Sequence, residues 1–179
     1  MATISVKDVS RAYPLPGGGE RLALEGIDLE VADGEFLCLL GPSGCGKTTL
    51  LNILSGLDRA DSGTVEVRST DGADVVSGYM FQEPRLLPWL TVRANIGFVL
   101  DDAGRRDTRR IDSWLERVGL AGRGNDYPRQ LSIGQRQRVA VARALIIEPD
   151  VLFMDEPFSS LDELTASRMR EELLVLWGE

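Results

Sequence analysis

Two short segments of the chain carry side chains that could act on phosphate groups. Gly41–Thr48 reads GPSGCGKT and fits the pattern G-x-x-x-x-G-K-[ST], while Val151–Met154 is an apolar run followed by Asp155 and Glu156. In the first segment, glycines let successive backbone N–H groups point at an anion, the lysine reaches the β- and γ-phosphates, and the threonine hydroxyl can ligate Mg²⁺. The second segment supplies one carboxylate for the metal and another for an attacking water. Together the two segments predict a site that hydrolyses a nucleoside triphosphate.

The elements around these segments must place the phosphate on a helix N-terminus. Phe36–Leu40 is predicted as a buried strand, and the phosphate loop (Gly41–Thr48) leads into a helix over Thr48–Ser55 that Gly56 ends. Free N–H groups and the helix dipole at that end favour negative charge. Residues 151–154 are predicted as a second buried strand, which aims both carboxylates at its C-terminal end, where α/β sheets bind ligands.

The remaining sequence predicts strands in the first half of the chain and helices in the second. Alternating segments bounded by turn signals predict strands at Thr3–Val9, Leu22–Val31, Thr64–Arg68 and Val75–Phe81. Apolar residues spaced i, i+3, i+4 and i+7 predict a helix that Gly119 ends and in which Trp114 anchors the core; they are Ile111, Trp114, Leu115 and Val118. A further helix is expected over Gly134–Glu148, before Pro149, and a last one from Asp162 with Leu164 facing inward.

The composition is that of an ordinary soluble globular chain. Its 179 residues, 43% hydrophobic and 27% charged, are enough for one domain or for two small subdomains sharing a core. The formal net charge of -8 argues against nucleic acid as a main partner, because binding phosphate backbones needs a basic surface. No apolar run approaches the roughly 20 residues that span a bilayer, and the first residues lack the apolar block of a signal peptide. These features predict a cytoplasmic chain in which Cys38, within the predicted strand, and Cys45, within the phosphate loop, are free thiols.

A third motif, Leu131–Gln135 (LSIGQ), lies between the two phosphate segments and directly precedes a predicted helix. With this motif the chain resembles the ATP-binding subunits of ABC transporters over essentially its whole length. The resemblance implies an α/β fold, with a P-loop NTPase core, an N-terminal antiparallel β-subdomain and an inserted helical subdomain. It assigns residues 1–82 and 149–179 to the β-subdomain and nucleotide-binding core, and residues 83–148 to the helical subdomain.

Further positions match the motifs of that family, with one departure. Gln82 falls at the Q-loop glutamine, Ser160–Asp162 looks like the D-loop, and Tyr13 lies where the family stacks an aromatic ring on adenine. Taken alone, Tyr13 indicates a packing tyrosine. Ile133 stands where the family signature has glycine, and because a β-branched residue disfavours φ > 0, we expect an ordinary backbone conformation there.

The resemblance implies a role for each site residue. Catalysis would depend on Glu156, Lys47 and Gln82, and Mg²⁺ would be held by Thr48, Gln82 and Asp155. The residues expected to hold ATP within one chain are Tyr13, Gly41, Pro42, Ser43, Gly44, Cys45, Gly46, Lys47, Thr48, Thr49 and Asp162. In a head-to-tail homodimer, the signature residues Ser132, Gly134 and Gln135 of one chain would act in trans on the ATP held by the other.

The segment Gln82–Asn95, which begins QEPRLLPW, carries the finer resemblance. It is similar to the ATPases of nitrate, aliphatic sulfonate and taurine importers, in a region where the family docks its membrane subunit. The alternative is a loop closed by two prolines around an apolar plug. The resemblance implies a subunit that powers import of a small anion, bound to a permease at the inner face of the cell membrane and served indirectly by a solute-binding protein.

Two alternatives to a transport ATPase stay open. One is a soluble ABC-type ATPase that is not involved in transport, although such proteins usually carry paired cassettes or coiled-coil insertions. The other is a catalytically incompetent fragment, since the chain has no histidine and the family uses a switch histidine at the γ-phosphate. In the family that histidine follows a core strand, and this strand lies between the strand that precedes Gly41 and the strand that precedes Asp155. In this chain the core strand is expected only after Glu179. We therefore expect a truncated chain that hydrolyses ATP slowly. The chain should also be unstable, because unpaired buried backbone groups each cost roughly 1–3 kcal/mol.

Overall fold

The computed structural model describes residues 2–158, 163–164, 166–167 and 170–171. The chain forms two compact units, one up to Ser77 and one from Gly78 onward. Among the described residues, no helix is long and apolar enough to cross a bilayer.

The first unit is built on a three-stranded antiparallel sheet. Strand β1 (Ala2–Pro14) lies between β2 (Glu20–Val31) and β3 (Ser62–Ser69). Alternate residues of β1, such as Ile4 and Val6, are buried, as expected for a strand with one face on the core. The predicted strands in this region are confirmed, and β1 and β2 are longer than predicted, because a hairpin extends their pairing to its turn.

Helix α1 (Lys47–Leu54) follows the phosphate loop and packs against β2 and β3. It buries Leu50, Ile53 and Leu54 on one face. Gly56 has φ +76°, a conformation that favours glycine, and therefore ends the helix as predicted.

The prediction of a buried strand over Phe36–Leu40 is wrong. These residues are irregular, and the side chains of Phe36 and Leu40 are 69% and 88% exposed. Cys38, predicted to be buried there, is also exposed. A buried strand needs neighbours on both edges, and neither sheet formed by the described residues includes this segment. The apolar run by itself therefore did not determine a strand.

The second unit combines a small sheet with a helical bundle. Strand β4 (Ser77–Met80) pairs with β5 (Val151–Met154), and β4 is shorter than the predicted Val75–Phe81. Between residues 78 and 158, the helices of the second unit are α2 (Val92–Gly97), α3 (Asp102–Arg106), α4 (Thr108–Arg117) and α5 (Ile133–Leu145), with a 3₁₀ turn at Pro128–Gln130 before α5.

The core of the second unit confirms the amphipathic pattern read from the sequence. The four apolar residues predicted on one face of α4 are all buried, with Trp114 at 7% exposure. They pack with apolar residues of α2, α5 and β4, including Ile96, Val139 and Met80. Gly119, with φ +67°, ends this helix region as expected.

Helix α5 ends earlier than predicted, at Leu145 rather than Glu148. Glu148 adopts φ +51° directly before Pro149. The ring of a proline disfavours the helical conformation for the residue that precedes it, which accounts for the break. The last predicted helix falls largely outside the described residues, and Leu164, expected to face inward, is 78% exposed.

Asn95 shapes the loop that leads from Gln82 to α2. Its side chain is fully buried and accepts a hydrogen bond from the Leu87 N–H at 2.7 Å. Its amide group donates to the carbonyl oxygens of Leu87, Leu90 and Thr91 at 3.0–3.1 Å. One side chain thus satisfies four backbone groups of a proline-rich loop that lacks the regular backbone hydrogen bonds of a helix or sheet.

We expect Asn95→Ala to lower the free energy of unfolding by about 2–5 kcal/mol, because it leaves buried backbone groups without partners. Asn125→Ala is the matched control: Asn125 is exposed and accepts one hydrogen bond, from Arg93. The control should change stability by less than about 0.5 kcal/mol. Denaturant unfolding of the two variants measures both values, and equal losses would contradict the role given to Asn95.

Candidate functional site

The phosphate loop leads directly into α1, and Lys47 is the first residue of that helix. The Lys47 ammonium donates to the carbonyl oxygens of Gly41 and Pro42 at 2.8 and 3.1 Å. A further turn bond joins the Cys45 N–H to the Pro42 carbonyl at 3.3 Å. The loop is therefore curled, with its lysine drawn back to the first residues of the motif and the N-terminus of a helix at its base.

Gly46 is the position at which the loop backs onto strand β2. It has φ +102°, and a Cβ atom there would lie 2.5 Å from the Ala23 carbonyl oxygen and 2.8 Å from the Leu24 side chain. No residue with a side chain fits this approach without moving the strand. Gly44 also has a positive φ of +81°, but a Cβ there would meet only the Arg21 guanidinium, at 3.5 Å.

Arg21 is a cation that sequence reasoning did not identify. It lies on β2, and its guanidinium approaches Gly44 of the phosphate loop. Its Cα is paired with that of Tyr13 across the β1–β2 hairpin. Strand pairing, rather than any sequence motif, places it between the aromatic residue and the loop.

Tyr13, predicted to stack on adenine, is partly buried and held by its neighbours. Its hydroxyl donates to Asp58 Oδ2 at 2.7 Å, and the Arg11 guanidinium lies 4.7 Å from the centre of its ring. The side chain thus has a defined orientation on β1. Its contact with a base stays a prediction.

The carboxylates follow β5 as predicted. Asp155 is buried, and its N–H donates to the Met80 carbonyl of β4 at 2.9 Å, so the pairing of the two strands continues up to this residue. Glu156 is exposed and has φ +43°, in the left-handed region. A residue other than glycine in that region carries strain of about 1–2 kcal/mol, and such strain is concentrated at functional sites.

Gln82 lies beside Glu156. Its side-chain amide donates to Glu156 Oε2 at 3.3 Å, which brings together two of the three predicted catalytic residues. Tyr79 lies nearby, and burial, together with the charge of Asp155, raises the pKa of its hydroxyl to about 12. Tyr79 therefore stays neutral at physiological pH and adds no charge to the carboxylate pair.

Helix α5 contacts the loops that follow Gln82 and Glu156. Gln137 is fully buried and donates from its side-chain amide to the Pro157 carbonyl, one residue after Glu156. Arg143 donates to the carbonyl oxygens of Pro84 and Arg85 at 2.6 and 3.0 Å. Burial lowers the pKa of Arg143. Sequence reasoning missed both side chains, because a helical pattern marks them only as positions on a helix.

The signature residues form the N-terminus of α5. Ser132 is the N-cap: its hydroxyl accepts a hydrogen bond from the Gln135 N–H at 3.3 Å, and the Gln135 side chain accepts one from the Ser132 N–H at 3.0 Å. Ile133 lies within the helix and does not have a positive φ, so the expected ordinary backbone conformation is confirmed. Asp162, the predicted D-loop residue, lies outside the described residues.

The model of the protein family described as "ABC transporter" matches residues 24–159. The chain belongs to the ABC transporter family. The resemblance on which the fold was predicted is thereby confirmed, including the mixed α/β architecture with an antiparallel sheet and a helical region.

Curated relatives are similar to almost the whole chain. The aliphatic sulfonates import ATP-binding protein of Bacillus subtilis is 46% identical over 98% of this chain, which covers 68% of that relative. The corresponding protein of Paraburkholderia xenovorans is 44% identical over 99% of this chain, and this chain spans 50% of the length of that relative. A bicarbonate transport ATP-binding protein of Synechococcus elongatus is 41% identical over 98% of this chain, which spans only 28% of it.

Solved structures of an ABC cassette have the same fold. A dimeric, post-hydrolysis form of the ATP-binding cassette MJ0796, bound to ADP and Pi, matches with a TM-score of 0.79 and 31% identity. A second dimeric structure of MJ0796 gives the same TM-score at 32% identity. Both matches cover 97% of this chain and 81% of the cassette chain.

The contact between Gly46 and β2 predicts unequal effects of alanine at two glycines of the ABC phosphate loop. Gly44→Ala should cost about 1–2 kcal/mol of stability, because only the positive φ is penalised. Gly46→Ala should cost at least about twice as much, since its Cβ also meets a backbone carbonyl that cannot rotate away. Denaturant unfolding of both variants measures the difference, and equal costs would contradict the close approach of loop and strand.

Proposed function

We propose that this chain is the ATP-binding and ATP-hydrolysing subunit of an ABC importer for a small anion, such as an aliphatic sulfonate, nitrate or taurine. The observation that carries the proposal is the phosphate loop, in which a glycine backs onto β2 and a lysine begins α1. The names of the relatives support the transport role and the class of solute, because sulfonates and bicarbonate are both small anions.

The phosphates of ATP fit the first unit. Lys47 and the backbone N–H groups of residues 44–48 would offset the phosphate charge, since the N-terminus of a helix favours anions. Arg21, beside Gly44, would add a second cation. The remaining loop residues expected to hold ATP are Gly41, Pro42, Ser43, Cys45, Gly46, Thr48 and Thr49.

We propose a magnesium ion as the second component of the site. Thr48, Gln82 and Asp155 would hold it, because Mg²⁺ prefers hydroxyl, amide and carboxylate oxygens together with phosphates. When bound, the ion would offset charge on the β- and γ-phosphate oxygens. The burial of Asp155 at the end of β5 supports its role as a fixed ligand.

Glu156 would act as the base that polarises the attacking water. Its exposure leaves the carboxylate accessible, and the hydrogen bond from Gln82 orients it. These features support a catalytic carboxylate at this position.

Hydrolysis would require a second copy of the chain. We propose a head-to-tail homodimer in which Ser132, Gly134 and Gln135 of one protomer contact the γ-phosphate held by the other, while Asp162 helps to hold the ATP of its own chain. The position of Ser132 at the N-terminus of the 13-residue helix α5 supports an anion-binding role. The subunit would bind an integral-membrane permease at the cytoplasmic face of the membrane, with a solute-binding protein acting indirectly and no nucleic acid as partner.

The domain bounds that the resemblance implies are part of the proposal. We propose that residues 1–82 and 149–179 form the β-subdomain and nucleotide-binding core, and residues 83–148 the helical subdomain. Because these 179 residues contain no histidine, no imidazole of theirs can contact the γ-phosphate. Turnover by this segment alone is therefore expected to be slower than that of a cassette that supplies one.

Lys47→Ala should weaken ATP binding about 10- to 100-fold, because a charge-assisted bond is worth roughly 1.5–3 kcal/mol. Arg21→Ala should weaken it less, since its guanidinium lies beside the loop rather than within it. Arg68→Ala is the matched control, as Arg68 is exposed on β3 and paired with Glu66. Calorimetry with Mg-ATP measures all three, and unchanged affinity in Lys47→Ala would refute the assignment.

Glu156→Gln should lower the ATPase rate at least about 100-fold while ATP affinity stays within about twofold, because only activation of the water is lost. The variant should also accumulate a closed dimer in the presence of ATP. Glu116→Gln, an exposed change on α4, controls for the loss of one charge. Steady-state turnover and size-exclusion chromatography give the two readouts, and wild-type turnover in Glu156→Gln would place the base elsewhere.

A further inference from the structure

Three charged side chains that belong to no motif form a cluster beside Tyr13: Arg11 and Asp58 contact the tyrosine, and Asp61 contacts Arg11. Arg11 Nη1 contacts Asp61 Oδ1 at 2.5 Å and Arg11 Nη2 contacts Asp58 Oδ1 at 3.0 Å. The Arg11 side chain is only 22% exposed. Arg11 and Tyr13 lie two residues apart on β1, and their side chains are in contact on the same side of the sheet. The guanidinium therefore covers one face of the Tyr13 ring, within the distance of a cation–π contact.

Asp58 and Asp61 connect this cluster by hydrogen bonds to the backbone of α1 and of β1. Asp58 accepts the Tyr13 hydroxyl, and its own N–H donates to the Asn52 carbonyl of α1 at 3.0 Å. Asp61 accepts the Ala12 N–H at 2.7 Å through its second oxygen. The aromatic ring is thus linked by two successive hydrogen bonds to the helix that begins at the phosphate loop.

The charges of the cluster favour this arrangement at neutral pH. The hydrogen bond from Tyr13 lowers the pKa of Asp58, and the bond from the Ala12 N–H lowers that of Asp61. The hydrogen bond to Asp61 raises the pKa of Arg11. Since both carboxyl pKa values lie below their ordinary 3.8, the ionised forms persist throughout the physiological range and are lost only in stronger acid.

We propose that Arg11, Asp58 and Asp61 are positioning residues that fix the Tyr13 ring as the platform for the nucleotide base. This inference rests on the proposed function, and it adds residues that determine how the base, rather than the phosphates, is recognised. The platform has Arg11 on one face and receives adenine on the other. Its link to α1 holds the base platform and the phosphate loop at a constant separation, which suits a ligand with a base at one end and phosphates at the other.

The experiment compares two probes in the full chain by calorimetry in the same magnesium buffer: ATP, and inorganic tripolyphosphate, which has no base. Stacking on an aromatic ring stabilises a bound base, and we expect partial loss of the platform to lower ATP affinity roughly tenfold. We expect this fall in Arg11→Ala and in Asp58→Asn, with tripolyphosphate affinity within about twofold of wild type. Arg68→Ala should change neither affinity.

A double-mutant cycle tests whether Arg11 acts through Tyr13. Tyr13→Ala should lower ATP affinity at least as much as Arg11→Ala, and the two changes together should lower it no further than Tyr13→Ala alone. Tyr13→Phe, which keeps the ring and loses only the bond to Asp58, should lower ATP affinity about as much as Asp58→Asn and leave tripolyphosphate affinity unchanged. Additive losses would overturn the proposal.

The two probes separate positioning from folding. Equal losses of ATP and tripolyphosphate affinity in Arg11→Ala and Asp58→Asn would mean that the cluster merely stabilises the sheet, and would overturn the inference. Unchanged affinity for ATP in both variants would overturn it as well. If the wild-type protein binds neither probe, the proposed function fails together with the inference, an outcome distinct from wild-type binding that the variants leave intact.

Discussion

The close approach of Gly46 to strand β2 is the constraint on which the candidate site depends. With the Ala23 carbonyl only 2.5 Å from where a Cβ would be, the loop can pass this point only as glycine. The passage sets where α1 begins, and hence where Lys47 and the helix N-terminus lie. Because the same strand carries Arg21, one backbone contact places the lysine, the free N–H groups and a second cation around the phosphate loop.

In the second unit, polar side chains of α5 hold the loops that follow the predicted catalytic residues. Gln137 and Arg143 of α5 donate to backbone carbonyls next to Glu156 and after Gln82. These side chains satisfy backbone carbonyls that lie outside the helices and strands. Asn95 does the same for the loop between Gln82 and α2. Helix α5, which begins after Ser132, therefore contacts the loops that follow both Gln82 and Glu156.

Much of the fold follows from patterns a few residues long. The strands of the first unit, α1, α4 and β5 lie close to where periodicity and glycine predicted them, because each depends on neighbours in sequence. The prediction failed at Phe36–Leu40, where an apolar run has the composition of a buried strand but no paired strand among the described residues. It also failed at the end of α5, where the conformation of Glu148 before Pro149 ends the helix.

The sequence by itself determined the phosphate loop, the paired carboxylates and the capped signature helix, because their chemistry is local: a fixed spacing places each group on its own turn or strand end. Only the tertiary structure decided what surrounds them. Asp58 and Asp61 meet Tyr13 and Arg11 across separations of 45 to 50 residues, and no motif marks them. Such contacts arise from strand register and from the position of α1 on the sheet, which no local pattern specifies.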